Sequence, residues 1–124
     1  AMVTAWHWFA GRAYAAAASA GTATALNLYG SGTVEIKGAT VTAASLYNPL
    51  AILDWITNSK TMTNANVYAG RLNASGAAQT VTNATVHELG IIDASDGSVT
   101  FTNPVTKFGS GQVIGSPGQT VQMA

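Results

Sequence analysis

A chain of 124 residues suits one domain built around one core. Its five basic and five acidic residues cancel, and charged side chains make up only 8% of the chain. Arg12, Lys37, Lys60, Arg71 and Lys107 are scattered rather than clustered, which argues against a nucleic-acid partner. The lack of cysteine excludes disulfides and thiolate metal sites, and no apolar run approaches the roughly 18 residues of a membrane span.

The first segment, residues 1–20, carries Trp6, His7, Trp8 and Phe9, followed by the alanine run Ala15 to Ala18 with Ser19 and Ala20. Gly11 and Arg12 interrupt what would have to be the continuous apolar stretch of a signal peptide, so the segment reads as mature structure. Alanine favours helix, and the open end of a repeat stack needs covering; residues 1–20 are therefore expected to form an N-terminal cap.

From residue 21 onward the chain repeats. A Thr-x-Thr unit stands at Thr22/Thr24, Thr40/Thr42, Thr61/Thr63, Thr80/Thr82 and Thr100/Thr102, with a degenerate copy from Thr120, at spacings of 18, 21, 19, 20 and 20 residues. The middle residues, Ala23, Val41, Met62, Val81, Phe101 and Val121, are all apolar. Alternate side chains on a strand point to opposite faces, so each middle residue is expected to enter a core while its threonines face out. Asn64, Asn83 and Asn103 follow the threonines as corner residues.

A second apolar column reads Leu28, Leu46, Val67, Val86 and Val105. A third strand then opens on a glycine, at Gly32, Gly70, Gly90 and Gly111, and closes on another, at Gly38, Gly76, Gly97 and Gly118, where a positive φ is expected. The second unit departs from this pattern: Asn48 to Ile56 replaces the glycine-led strand and is expected to form a helical turn or an apolar bulge.

Three short strands per unit predict an all-β fold, a right-handed three-sided parallel β-helix of about six coils with an N-terminal cap. Residues 1–20 are the cap and 21–124 the β-solenoid, within a single domain. An antiparallel sandwich is the competing architecture, but it has no reason to place the same residue at the same offset in each unit.

Chemistry is sparsely supplied. His87, Glu88 and Asp93 form the one group that resembles an acid/base or metal site, yet adjacent strand residues face opposite ways and Asp93 and Asp96 read as turn residues. The expectation is no catalytic residue, no metal site and no cofactor. Two exposed files are better candidates for binding. One is the threonine array, Thr22, Thr24, Thr40, Thr42, Thr61, Thr63, Thr80, Thr82, Thr100 and Thr102, whose regular hydroxyls and methyls resemble those of solenoid ice-binding proteins. The other is Tyr29, Tyr47, Tyr68 and His87, continued by Thr106 after a one-residue deletion, able to grip a sugar ring or a partner protein, or simply to stabilise the sheet.

The segments TNATVHELGIIDASDG (Thr82 to Gly97) and TNANVYAGRLNASG (Thr63 to Gly76) resemble the repeats of AIDA-type autotransporter adhesin passengers, over about residues 21 to 122. The resemblance implies an extracellular, non-catalytic stalk or self-associating adhesin. Its expected partners are copies of itself, another surface protein or a glycan, in a homo-oligomer at the cell surface. Solenoids of phage tails and capsid decorations share the same turn residues, so a virion component is the alternative, with ice binding by the threonine face as another.

Overall fold

The computed structural model describes residues 2–8, 11–15, 22–36, 40–96, 98–115 and 121–124, with side chains described from residue 24 onward. The strands are β1 (Met2–Trp8), β2 (Gly11–Ala15), β3 (Thr22–Leu28), β4 (Gly32–Ile36), β5 (Thr40–Leu46) and β6 (Ala51–Trp55), followed by β7 (Thr61–Ala74), β8 (Gln79–Asp93), β9 (Val99–Phe101), β10 (Thr106–Lys107) and β11 (Gln112–Ile114). Every pairing between them is parallel, and the described residues contain no helix. The chain is a parallel β-solenoid of about five turns.

The repeat spacing is the strand register. Thr22 pairs with Thr40, Ala43 with Asn64, Thr61 with Thr80 and Thr80 with Thr100. Each unit therefore lies directly on the one before it, and like residues stack in columns. The second apolar column runs Leu28, Leu46, Val67 and Val86 in register, all four fully buried.

Burial marks the corners. Within β7, Met62, Ala65, Val67, Ala69, Gly70, Leu72 and Ala74 are buried, so the strict alternation of a flat strand breaks between Met62 and Ala65 and again at Ala69–Gly70. Two breaks divide the rung into three sides, each turning its apolar residues onto a common core. Leu26, Ala44, Ala65 and Ala84 form one inner column beside a corner, a leucine in one rung and alanine in the next three. Ile36, Leu53, Trp55, Leu72 and Ile92 fill the interior along the third side. Each large buried aliphatic of this set contributes about 1.5–3 kcal/mol relative to exposure.

Several sequence expectations are revised by this geometry. Met2–Trp8 pairs with β3 from Met2 opposite Thr22 to Trp8 opposite Leu28, and Gly11–Ala15 pairs with β4. Met2–Trp8 and Gly11–Ala15 thus form strands of the ladder itself; the alanine run that carried the helical expectation lies, apart from Ala15, outside the described residues, as do Ala1, Phe9 and Ala10. Ala51–Trp55 is an ordinary strand paired with β4 on one side and β7 on the other, in place of a helical turn or bulge. The reason is local. Asn48 Oδ1 accepts from the Leu50 N–H and the Asn48 carbonyl from the Ala51 N–H, both at 2.9 Å, so Asn48, Pro49 and Leu50 close a tight turn and return the chain to register.

The glycines act differently from expectation as well. Gly70, at the start of the third side, has a φ of +94°, and a Cβ there would lie 2.6 Å from the carbonyl oxygens of Ala51 and Asn48. Gly76, expected to need a positive φ, does not adopt one; it is glycine because a Cβ would meet the carbonyls of Ile56 and Thr57 at 2.6 Å. Gly38, Gly97 and Gly118 lie outside the described residues.

Candidate functional site

On the second side of each rung, two residues point outward from the strand. The first of each pair forms a small polar file: Asn27, Ser45, Asn66, Thr85 and Thr106 stand in register. The second forms an aromatic file. Tyr29 stacks on Tyr47 with ring centroids 5.0 Å apart and planes within 5°, and Tyr47 on Tyr68 at 5.0 Å and 8°. Tyr68 stacks on His87 at 4.5 Å, and His87 on Phe108 at 4.7 Å. The spacing is that of the strands beneath, because a parallel in-register ladder places equivalent side chains directly over one another.

Phe108 is the fifth ring, which sequence reading missed by placing Thr106 there. Asn103 Nδ2 donates to Asn83 Oδ1 at 2.8 Å, so the corner is in register, but Thr106 already pairs with Thr85 and Lys107 with Val86. Pro104 is thus an extra residue at the corner, in place of the deletion that the sequence pattern suggests, and it moves Val105 out of the Val86 column. The Phe108 N–H donates to the Val86 carbonyl at 2.8 Å and sets the ring over His87. The signal was available: an aromatic residue precedes a Gly-Ser turn at both Tyr29 and Phe108.

The tyrosines are about two-fifths exposed and Phe108 about half, and Leu50 and Leu89 project from the adjoining corner at 70% and 64% exposure. Because the rings lie face to face, each covers its neighbours' π-faces and the file presents mainly edges and phenolic hydroxyls to solvent. A sugar that would lie flat on a tyrosine ring has no face inside the stack to use.

The threonine array occupies the first side. Thr24, Thr61, Thr63, Thr100 and Thr102 are exposed, while Thr40, Thr42, Thr80 and Thr82 are half-buried by neighbouring rungs; the Thr22 side chain lies outside the described set. Asn64, Asn83 and Asn103 form a hydrogen-bonded file along the corner between this side and the aromatic one, Asn83 donating to Asn64 at 3.3 Å. The two candidate surfaces are therefore neighbours across a corner and do not merge into one plane.

His87, Glu88 and Asp93 do not converge. His87 is held between Tyr68 and Phe108, Glu88 is exposed beside Gly109, and Asp93 belongs to the third side. Among the described residues no three His, Asp or Glu side chains gather as a metal site would require, and no helix is long and apolar enough to cross a membrane.

The third side holds a polar lattice that sequence reading passed over. Arg71 donates from Nε to Asn73 Oδ1 at 2.8 Å and pairs with the Asp93 carboxylate, while Asn73 Nδ2 donates to Asp54 Oδ1 at 2.8 Å. Burial raises the Asp93 carboxyl pKa, but hydrogen bonds from the Ser95 hydroxyl and N–H, with the hydrogen bond and charge of Arg71, outweigh it and hold the group below its ordinary value of 3.8. Glu35, Asp54, Asn73 and Asp93 each stand three positions after the residue that opens the third side, a recurring offset that marks the lattice in the sequence.

Comparison of the chain with protein-family models, with curated proteins and with solved structures found no match in any of the three.

Proposed function

We propose that this chain is a non-catalytic structural and adhesive β-solenoid module that works by lateral contact along its side-chain files, with copies of itself or with another surface protein. The observation that carries the reading is the exposed file of five stacked rings from Tyr29 to Phe108, bordered by Leu50 and Leu89. Exposed aromatic and aliphatic groups in one contiguous strip favour partner contact, and on a solenoid each added rung adds a similar increment. The resemblance of Thr63 to Gly76 and Thr82 to Gly97 to AIDA-type adhesin repeats supports an extracellular or cell-surface setting. Lateral contact of the same kind would serve a phage virion component.

Molar mass by light scattering across a concentration series tests the reading. Concentration-dependent association of the wild-type chain, lost in a variant carrying Tyr29→Ser, Tyr47→Ser and Tyr68→Ser, is the expected result. A monomer at every concentration, or association unchanged by the three substitutions, would count against it.

The threonine side supports a second reading, ice binding, because Thr61, Thr80 and Thr100 stack in register with their partners two residues on. Ice grown in the presence of the protein should then be faceted, and Thr63→Lys with Thr82→Lys should abolish the faceting. Unshaped ice with the wild-type chain would dismiss it.

A further inference from the structure

We propose that the groove beside the ring file is a binding site for an elongated, flat, conjugated aromatic molecule that lies along the solenoid axis. One wall is the aromatic file, Tyr29, Tyr47, Tyr68, His87 and Phe108; the other is the file Asn27, Ser45, Asn66, Thr85 and Thr106. Residues two apart on a strand lie about 7 Å from each other, so the two files leave a straight trough between them, floored by backbone.

Three features select the occupant. The rings cover one another's faces, so what lines the trough is a row of ring edges, the positive end of the aromatic quadrupole. A flat π-system laid against them meets that edge with its negative face, the favoured edge-to-face geometry, once per rung. The ring separations of 4.5 to 5.0 Å continue across five rungs, so the row is long and uninterrupted, on the order of 20 Å from end to end. A compact ligand would use one or two of its contacts; a rod-shaped one uses them all. Neither file contains a carboxylate, lysine or arginine, so recognition rests on shape and quadrupole rather than on an ion pair.

Area separates this site from a protein interface. A stable protein partner needs roughly 800 Å² on each side, far more than a trough one side chain deep can supply, so a macromolecule would have to extend over the neighbouring corner and side. A planar small molecule is accommodated by the trough alone. The site therefore operates on the monomer, and because lateral association would use the same rings, ligand and partner chain compete for them.

1,6-Diphenylhexatriene, a neutral rod-shaped conjugated dye, is the probe. It is titrated into the intact chain while light scattering on the same sample records molar mass. A saturable rise in emission from folded monomer is expected, with affinity lowered about tenfold by Tyr47→Ser with Tyr68→Ser. Tyr47→Phe with Tyr68→Phe, which keeps the rings, and Thr63→Ser with Thr82→Ser on the neighbouring side should both retain binding. Circular dichroism reports whether each variant is folded. Should the serine variant unfold, dye-induced NMR shifts on the wild-type protein decide: shifts centred on the Tyr29 to Phe108 rings support the site, and shifts centred on the threonine side overturn it. No saturable signal from wild-type monomer, or undiminished binding in a folded serine variant, also overturns it.

Discussion

The side chain of Gln79 reaches across a rung to donate a hydrogen bond to the main-chain oxygen of Trp55 at 2.9 Å. The second hydrogen of the same amide goes to the Thr57 carbonyl, also at 2.9 Å, and all three residues are buried. Gly76 is small enough to let this amide in, since a Cβ there would lie 2.6 Å from Gln79 Nε2. One side chain thus satisfies two buried acceptors at a corner where the ladder is interrupted.

Replacing Gln79 by Leu should cost about 1–3 kcal/mol in urea unfolding, because two buried hydrogen bonds are lost, although the Trp55 carbonyl keeps the Ser75 N–H at 3.1 Å. Gln79→Glu should be worse at neutral pH, since a carboxylate cannot donate and would be buried against two carbonyl oxygens. That variant, unlike the leucine one, should recover part of the loss on acidification, as the protonated acid regains one donor. Equal stabilities of the two variants at all pH values would contradict this account.

Asp93 makes the fold sensitive to acid. Its carboxyl pKa is depressed in the folded protein, so its contribution is present above the unfolded value near 3.8 and is lost as pH falls through the folded value. Stability measured from neutral pH to below 3.8 should fall less steeply for Asp93→Asn than for the wild type. At neutral pH the same substitution should cost about 1 kcal/mol or less, because Arg71 is partly exposed and its pairing with Asp93 is screened by water.

Gly70 is held by both conformation and space. With φ at +94° and two carbonyl oxygens 2.6 Å from any Cβ, Gly70→Ala should lower stability by about 2–4 kcal/mol, measured by thermal or urea unfolding. A comparable substitution at Ser31, exposed at the corner after Tyr29, should change it by less than about 0.5 kcal/mol.

The central rings of the aromatic file should be energetically coupled. A double-mutant cycle on Tyr47 and Tyr68, each changed to Ser, should return an interaction of about 0.5–1.5 kcal/mol, whereas Tyr29 with Phe108, at opposite ends, should be additive. Additivity at the central pair would mean that the observed stacking carries no stability.

The architecture was legible because in-register stacking turns a structural column into a fixed sequence offset, and Thr22, Thr40, Thr61, Thr80 and Thr100 are such a column. The first rung was obscured because Met2 takes the place of the leading threonine. Still, Val3 and Thr4 follow in pattern and Gly11 leads β2 as Gly32 leads β4. Ala51 hid a regular strand for a similar reason, since an Asn-Pro turn delivers the chain where a glycine does so elsewhere. The ring file was read correctly at Tyr29, Tyr47, Tyr68 and His87 but broke at Pro104, because a one-residue insertion and a one-residue deletion leave nearly the same trace in a single sequence. The face-to-face packing that hides the ring faces was not legible at all, since it depends on side-chain orientation.

The corner that follows each ring has no fixed length. Gly30 and Ser31 span it after Tyr29, Asn48 to Leu50 after Tyr47, Ala69 alone after Tyr68, Glu88 and Leu89 after His87, and Gly109 and Ser110 after Phe108, yet the strands on either side remain in register. The corner thus absorbs insertions and deletions while the files keep their pitch, as a hinge of adjustable length would. New sequence can enter the chain there without disturbing the stack, which makes this edge the natural place for foreign loops to be displayed and for lineages of such solenoids to diverge.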